Sequence, residues 1–211
     1  MNGSSNGMIA IPEGWFLEGD ERRRTFVRPF EIDRCLVTNR EYAQFVEATG
    51  APPPPHWVGG LCPGDGADHP VVNITWHEAT AYADWAGKRL PQGREWEKAA
   101  RGEDGRKYPW GDAFDPSRCN TLESGLSGTS PVGAYEAGAS PFGVLDMSGN
   151  VWEWALDKAP QLKTFRMARA GSWYFPQKFA RSACVNWLSP EYRFPDVGIR
   201  CVRSEFVPHA S

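Results

Sequence analysis

Cysteine and histidine are the residues of this chain that could bind a metal or carry redox chemistry, and both types are scattered. The five cysteines are Cys35, Cys62, Cys119, Cys184 and Cys201. Their odd number and the lack of a C-x-x-C motif argue against a zinc site and against a full disulfide framework, although the sequence allows a single disulfide. A reducing compartment is the default expectation. The histidines are His56, His69, His77 and His209. His77 has no second histidine four residues on, so we expect it to be a surface or hydrogen-bonded side chain, not a ligand.

Motifs for other catalytic chemistries are missing from the sequence. It contains no H-E-x-x-H, no G-x-S-x-G, no P-loop and no G-x-G-x-x-G pattern. Asp and Glu together number 26, but no spacing singles out a pair for acid–base catalysis. The residues taken alone therefore indicate no recognised active site.

The densest chemical signal is aromatic and lies near the C-terminus, in residues 172–196. The rings there are Trp173, Tyr174, Phe175, Phe179, Trp187, Tyr192 and Phe194. They follow neither the period of a strand nor that of a helix, and prolines interrupt them. Such rings give a large contact area at low entropic cost, so the pattern predicts a recognition surface, with Trp173 in the core. The alternative is an irregular core segment.

Short strands and many loops are expected around this segment. The chain contains 22 glycines and 18 prolines, and 41% of its residues are hydrophobic. That composition is typical of a folded but loop-rich domain. The predicted strands and strand-like segments cover residues 9–16, 25–32, 145–154 and 198–202.

Three helices are predicted in the first half of the chain. Thr38 and Glu41 form a capping box that opens the first helix, and Thr75 and Glu78 form one that opens the second. Gly50 and Gly87 are expected to end these helices, and a third covers residues 93–101. Helices followed by irregular loops and short strands predict an α+β domain with low regular content.

Size and charge narrow the classes of function. A chain of 211 residues allows one large domain. Its net charge of −3 and the lack of a basic run give no reason to expect nucleic-acid binding. No apolar stretch approaches the roughly 18 residues that cross a bilayer, so membrane insertion is not expected.

The ends of the chain are interpreted separately from the domain. Residues 1–8 have no features of a signal peptide and are interpreted as a linker or an expression tail. A single domain is expected over 9–204 and a C-terminal tail over 205–211, with the cytoplasm as the default location.

Motifs along the chain resemble those of one family. In chain order they are Val37-Thr38-Asn39, His69-Pro70-Val71, the run Glu95 to Gly102 (EWEKAARG), Tyr108-Pro109-Trp110-Gly111, the run Gly143 to Trp154 (GVLDMSGNVWEW) and Gly198-Ile199-Arg200-Cys201. They resemble the signature blocks of the formylglycine-generating enzyme (sulfatase-modifying factor) family. The resemblance implies a C-type-lectin-like fold over residues 9–204, in agreement with the α+β pattern.

The resemblance also implies where catalytic cysteines would stand. Active members of the family oxidise a substrate cysteine with two cysteines that follow a G-S-[WY] block, together with a copper ion. Counted from Gly171-Ser172-Trp173, these positions carry Phe175 and Ala180. Neither side chain binds a metal or exchanges electrons, so no copper is expected and the chain is expected to be a pseudoenzyme. Related iron-dependent sulfoxide synthases need a set of histidines that this chain lacks.

Calcium is the metal that the resemblance implies. The ligands carried over are the Asp146 side chain, the Gly149 and Val151 carbonyls and the Glu153 side chain, and hard oxygen ligands suit Ca²⁺. The alternative is that the two carboxylates only brace their loop.

A second calcium site carried over from the family is incomplete. It would use Asn120 with the carbonyls of Thr121 and Leu126. The carboxylate position of this site is Ser124, which leaves Glu123 as the substitute.

Within the family, the C-terminal segment resembles the variable region of diversity-generating retroelement proteins, in which template adenines are mutagenised. The framework would be residues 171–173, 180–183, 190, 193 and 198–200. Nine positions between them carry residue types that an AAY codon reaches by changes of adenine: Tyr174, Phe175, Phe179, Cys184, Asn186, Leu188, Tyr192, Phe194 and Asp196. Gln177 and Trp187 need other template codons or are invariant, and together with Glu191 they complete the predicted ligand-binding surface.

These resemblances imply a non-catalytic, ligand-binding variable protein that displays this surface to an unspecified protein or cell-surface ligand. One alternative is an enzyme of the formylglycine-generating/sulfoxide-synthase superfamily with an unrecognised active site. Another is a structural accessory domain of a longer chain. The oligomeric state is left open.

Overall fold

The computed structural model describes residues 7–204, so most of the two predicted tails lies outside the described residues. Met8 is an exception, because it already belongs to the first strand and not to a linker. The strands are β1 (Met8–Ile11), β2 (Gly14–Glu18), β3 (Arg23–Val27), β4 (Phe30–Asp33), β5 (Trp152–Lys158), β6 (Arg166–Arg169), β7 (Asn186–Leu188), β8 (Val197–Gly198) and β9 (Val202–Ser204). The α-helices are α1 (Asn39–Thr49), α2 (Trp76–Trp85) and α3 (Gly93–Arg101).

The helices begin where the sequence predicts. In α1 the Thr38 side chain caps the Glu41 amide and the Glu41 carboxylate returns to the Thr38 amide, and Thr75 with Glu78 does the same in α2. Gly50 ends α1 in the left-handed region, at φ 71°. Helix α2 ends at Trp85, slightly before the predicted Gly87.

The strands differ from the prediction where prolines and left-handed residues interrupt the backbone. The two predicted N-terminal strands are four, because Pro12 and Pro29 have no amide to donate and separate β1 from β2 and β3 from β4. The predicted strand over 145–154 starts only at Trp152. Asp146 and Asn150 lie at φ 57° and 60°, which a strand does not accommodate.

Three sheets organise the chain. One is antiparallel with the order β1-β4-β9, and β2 and β3 form a separate hairpin. The third has the order β7-β6-β5-β8, in which β5 is antiparallel to β6 and parallel to β8. Strand β7 belongs to the aromatic C-terminal segment and β8 follows that segment directly, so this mixed sheet positions the segment.

Two large hydrophobic cores hold the elements together, beside a small cluster of Leu36, Val72 and Val151. One lies between α1, α2 and the mixed sheet and includes Tyr42, Tyr82, Trp152 and Trp154. The other lies between α3 and the β1-β4-β9 sheet and is centred on the fully buried Trp96. Between residues 7 and 204 no cysteine pair forms a disulfide. None of the helices in this range has the length and apolarity that a membrane crossing requires.

Candidate functional site: the aromatic surface

The floor of the site is a pair of tryptophans on β5. Trp152 and Trp154 are two residues apart in the strand, so they share one face of the mixed sheet, and both are buried. Ala168 on the neighbouring strand β6 lies on the same side and belongs to the same core. The W-E-W spacing therefore provides an apolar platform on which the C-terminal segment packs.

The first aromatic cluster covers Trp152. The ring of Phe175 meets that of Trp152 edge-on, with centroids 5.8 Å apart, and Phe179 packs on Phe175 at 5.1 Å. Tyr174 stacks edge-on against both Trp173 and Phe175. The Tyr174 side chain is 63% exposed, so this cluster runs from the core to the solvent.

The second cluster covers Trp154. Phe194 contacts the Trp154 ring at 6.4 Å, and Tyr192 packs edge-on against Phe194 at 6.3 Å. Tyr192 is 66% exposed. Each cluster thus pairs half-buried phenylalanine with an exposed tyrosine, above a buried tryptophan.

We call the group formed by these rings and Leu188 the aromatic surface: Tyr174, Phe175, Phe179, Leu188, Tyr192 and Phe194. None of the six is fully buried. Leu188 and the three phenylalanines pack against the core from outside, and so does Cys184. Gln177 and Glu191 are exposed beside them, and Asn186 is half-buried.

Three predicted placements are different in the structure. Asp196 is buried, and it accepts a hydrogen bond from Ser172 Oγ at 2.7 Å, so it braces the fold and is not displayed. Trp187 pairs with Met167, whereas Leu188 pairs with Arg166. Because successive residues of a strand point to opposite faces, Trp187 lies across the sheet from Leu188. Trp173, expected in the core, is half-buried.

The predicted framework residues are tied to distant parts of the chain. A Cβ atom at Gly171 would lie 2.8 Å from the Phe179 carbonyl oxygen, so this close approach requires glycine. The Ser182 amide donates to the Lys107 carbonyl at 2.8 Å, and the Arg193 guanidinium pairs with Glu78. The Pro190 carbonyl accepts from the Trp76 amide at 3.0 Å.

Neither of the two positions that the family resemblance predicts for catalytic cysteines carries a metal-binding side chain. Phe175 is part of the first cluster, and Ala180 is buried. Cys184 is half-buried, and burial raises the pKa of its thiol. In the described part of the chain, no three His, Cys, Asp or Glu side chains gather as a metal site would require.

The histidines of the described residues lie apart from one another along the chain, and two of them contact a carboxylate or a hydroxyl group. His77 Nε2 lies 3.0 Å from Glu191 Oε1, and His69 Nδ1 lies 2.8 Å from Thr129 Oγ1. Burial lowers the pKa of His56. His209 lies outside the described residues.

A buried ion pair closes the loop that precedes β5. Glu153 accepts from Arg200 Nε at 3.0 Å, from Arg200 Nη2 at 3.1 Å and from Trp96 Nε1 at 2.7 Å. Arg200 also donates to the carbonyls of Asp33, Arg34 and Leu145. Both partners are completely buried, so this pair joins the C-terminal segment to both cores. The sequence motif contained Arg200, but only the structure reveals this role.

The oxygen donors of the first predicted calcium site are of the kind that Ca²⁺ prefers. Asp146 accepts one hydrogen bond, from the Gly133 amide to Oδ2 at 2.7 Å, and burial raises the pKa of its carboxyl to about 6. Glu153 has about four lone-pair positions and accepts three hydrogen bonds. The Arg200 guanidinium interacts electrostatically with both buried carboxylates, Asp146 and Glu153. A cation next to Asp146 Oδ1 and the remaining lone-pair position of Glu153 would complete the charge balance.

The second calcium site does not fit. Ser124 Oγ donates to Asn120 Oδ1 at 2.8 Å, which takes one of the two lone pairs of the side-chain oxygen that would bind the ion. The Glu123 carboxylate accepts from the Gln177 amide at 2.9 and 3.1 Å and from Thr121 Oγ1 at 2.7 Å. Glu123 thus braces the segment that follows Phe175 instead of replacing the missing ligand.

Comparisons with known proteins agree with this architecture. The family model described as sulfatase-modifying factor enzyme 1-like domain matches residues 1–205. A formylglycine-generating enzyme from Thermomonospora curvata is 31% identical, over 93% of each chain. The inactive C-alpha-formylglycine-generating enzyme 2 of Mus musculus is also 31% identical, over 93% of this chain and 85% of the relative. The solved structure of Treponema denticola variable protein 1 has a TM-score of 0.77 at 19% identity, over 93% and 94% of the two chains, which shows the fold alone.

Proposed function

Since the chain belongs to the sulfatase-modifying factor enzyme 1-like domain family, we propose that it is a non-catalytic member that binds a macromolecular ligand through the aromatic surface. The observation that carries the proposal is the packing of Phe175 on Trp152, 5.8 Å between ring centroids, at the position of a catalytic cysteine. A thiolate pair that could bind copper is replaced there by a ring contact and a buried methyl group. Cysteine oxidation of the family type has no reacting atom at these positions.

The division between anchored and displayed residues supports binding. The framework residues Ser172 and Ser182 are buried and hydrogen-bonded to distant segments, and Gly171 is buried against the Phe179 carbonyl. Tyr174 and Tyr192 project into solvent from half-buried phenylalanines. A rigid scaffold that presents exposed tyrosines resembles the arrangement of antibody binding loops, in which tyrosine gives contact area at low entropic cost.

The same division supports the finer proposal that this is a variable protein. Eight of the nine AAY-compatible positions, all except Asp196, lie on or beside the aromatic surface with part of the side chain accessible. Substitution there changes the surface without breaking a framework hydrogen bond. The shared fold with Treponema denticola variable protein 1 is compatible with such a role. The inactive mouse relative is a precedent for a family member without the enzymatic activity.

The character of the surface indicates the class of ligand. Two of its charged neighbours contact groups of opposite charge, as in Arg193 with Glu78 and Glu191 with His77. The Lys178 ammonium lies over the Phe179 ring, 5.0 Å from its centroid. Recognition would then rest on ring contacts and on polar groups such as Asn186 and Gln177. A protein or cell-surface ligand with an apolar patch fits this chemistry better than a highly charged polymer does.

We propose calcium as a structural ion of the same domain. Asp146 and Glu153, with the carbonyls of Gly149 and Val151, would hold it behind the surface. When bound, the ion would supply positive charge beside two buried carboxylates.

A panel of proteins and glycans, applied to the immobilised full chain, tests the proposed function. Ligands retained by the wild type should be lost by the double variant Tyr174→Ala/Tyr192→Ala. The matched control is Trp15→Ala/Phe26→Ala, which removes another exposed aromatic pair, 49% and 42% accessible, from the β2–β3 hairpin. Ligands lost only by the hairpin variant would refute the assignment of the surface. Turnover of a ligand would favour the alternative, an enzyme with an unrecognised site.

A further inference from the structure

A second concave site lies away from the aromatic surface. It is a cleft of about 920 Å³ between the β2–β3 hairpin, the first turn of α3 and strands β5 and β6. We call it the hairpin cleft. Its volume is in the range of small-molecule sites, which run from roughly 300 to 1,000 Å³.

The hairpin cleft and the aromatic surface lie on opposite faces of the mixed sheet. Met167 and Arg169 line the cleft, whereas Ala168 between them faces the core beneath the aromatic surface. Side chains of a strand alternate between its two faces, so occupancy of one site leaves the other accessible.

Most charged groups of the cleft wall are committed to each other. Glu97 accepts from Arg101 at 2.7 Å and from Arg169 at 2.8 Å, and both pairs are buried. Glu18 pairs with Arg23 at 2.6 Å. These pairs fix the shape of the wall and neutralise most of its charge.

Groups of both signs remain uncommitted. Glu21 forms no hydrogen bond or ion pair with any described residue, and Asp157 uses only Oδ2, which accepts from the Gly93 amide at 2.7 Å. On the cationic side, Arg94 is exposed and donates only from Nε, to Gln92. Arg169 is 2% exposed, and its Nε is buried with no partner among residues 7–204. A buried donor without an acceptor is costly, which points to an acceptor supplied from outside the chain.

We propose that the hairpin cleft binds a zwitterion of the amino-acid or short-peptide class. The ammonium group would lie at Asp157 and Glu21, and the carboxylate would be held by Arg94 and the Nε–H of Arg169. An apolar side chain would rest against Leu156 and Met167. A ligand with only one of the two charges leaves one set of groups unsatisfied.

Calorimetric titration of the full chain with free amino acids and dipeptides tests the proposal, and the Gly93 amide resonance reports on the site. The variants are Asp157→Asn, which keeps an acceptor for the Gly93 amide, and Arg94→Gln. Each should weaken binding about tenfold, which corresponds to ~1.4 kcal/mol. Amines and carboxylic acids that carry a single charge should bind more weakly than the zwitterion. Tyr192→Ala, on the other face of the sheet, should leave the affinity unchanged.

Two results would overturn the proposal. One is that no amino acid or dipeptide at about 10 mM moves the Gly93 resonance, since affinities weaker than this are not specific recognition. The other is binding that Asp157→Asn and Arg94→Gln leave intact, or that Tyr192→Ala abolishes, because the ligand would then lie elsewhere.

Discussion

The ring of Phe175 packs edge-on against the ring of Trp152, with an angle of 76° between the planes. This contact joins the displayed C-terminal segment to the buried strand β5. By the family resemblance, Phe175 also stands at a position where active members carry a catalytic cysteine. On the proposed function, one side chain therefore anchors the surface and replaces a catalytic thiol.

Replacing Phe175 should cost stability, whereas replacing its exposed neighbour should not. Phe175→Ala removes contacts with Trp152 and Phe179 and should lower the free energy of unfolding by about 2–3 kcal/mol, less than for a fully buried phenylalanine. Tyr174→Ala should lower it by less than about 1 kcal/mol. Urea unfolding measures both values. Equal losses would show that Phe175 is not an anchor.

The buried pair of Glu153 and Arg200 should be the most sensitive point of the domain. Arg200→Met leaves the Glu153 carboxylate buried without its cation, which should cost about 3–5 kcal/mol or prevent folding. Arg203→Met, in the exposed pair with Glu31, is the control and should cost less than about 1 kcal/mol. Thermal and urea unfolding compare the two. A loss at Arg203 as large as at Arg200 would contradict this account of the core.

Cys184 should be a slow nucleophile. Its pKa is raised by burial, so at pH 8 the folded chain holds less thiolate than an unfolded chain does. Alkylation of Cys184 by iodoacetamide, followed by mass spectrometry, should be slower in the folded protein than in urea and should accelerate as the pH rises. Labelling at pH 7 that is faster in the folded state would reveal an activated thiolate and reopen the enzymatic alternative.

Calcium should stabilise the chain if Asp146 and Glu153 bind it. At about 100 times the dissociation constant, a ligand adds ~2.7 kcal/mol, so the melting temperature in calcium should exceed that in EDTA by roughly 5–10 °C. Asp146→Ala should abolish this difference, and Asp68→Ala, in an exposed pair with Arg40, should preserve it. Identical melting temperatures in calcium and EDTA for the wild type would refute the site.

The parts of the fold that local chemistry dictates could be predicted from the sequence. Thr38 and Thr75 open helices because each has a glutamate three residues on, which is a relationship within one turn. Gly50 ends α1 for an equally local reason. The general placement of exposed tyrosines near the C-terminus likewise followed from the aperiodic aromatic pattern.

The features of the fold and the site that could not be predicted from the sequence depend on contacts between residues far apart along the chain. Arg200, which closes the loop before β5, lies 47 positions after Glu153. Because this contact is distant in sequence, the apolar pattern of the loop alone predicts a strand. Asp196 is predicted on the surface because an AAY codon can be changed to an aspartate codon. Its hydrogen bond with Ser172, 24 residues earlier, holds it in the interior. The sequence predicts Trp187 on the same surface as its neighbours. Its actual face is set by the pairing of this short edge strand with Met167, which the sequence does not reveal.

A diversified binding surface is tested most directly by sequencing this gene in many copies from one natural population. Amino-acid changes should concentrate at displayed positions such as Tyr174, Asn186 and Tyr192. Gly171, Ser172 and Arg200 should stay invariant, because buried contacts hold them. Changes spread evenly over both groups, or an invariant Tyr174 and Tyr192 beside a changing framework, would contradict a diversified binding surface.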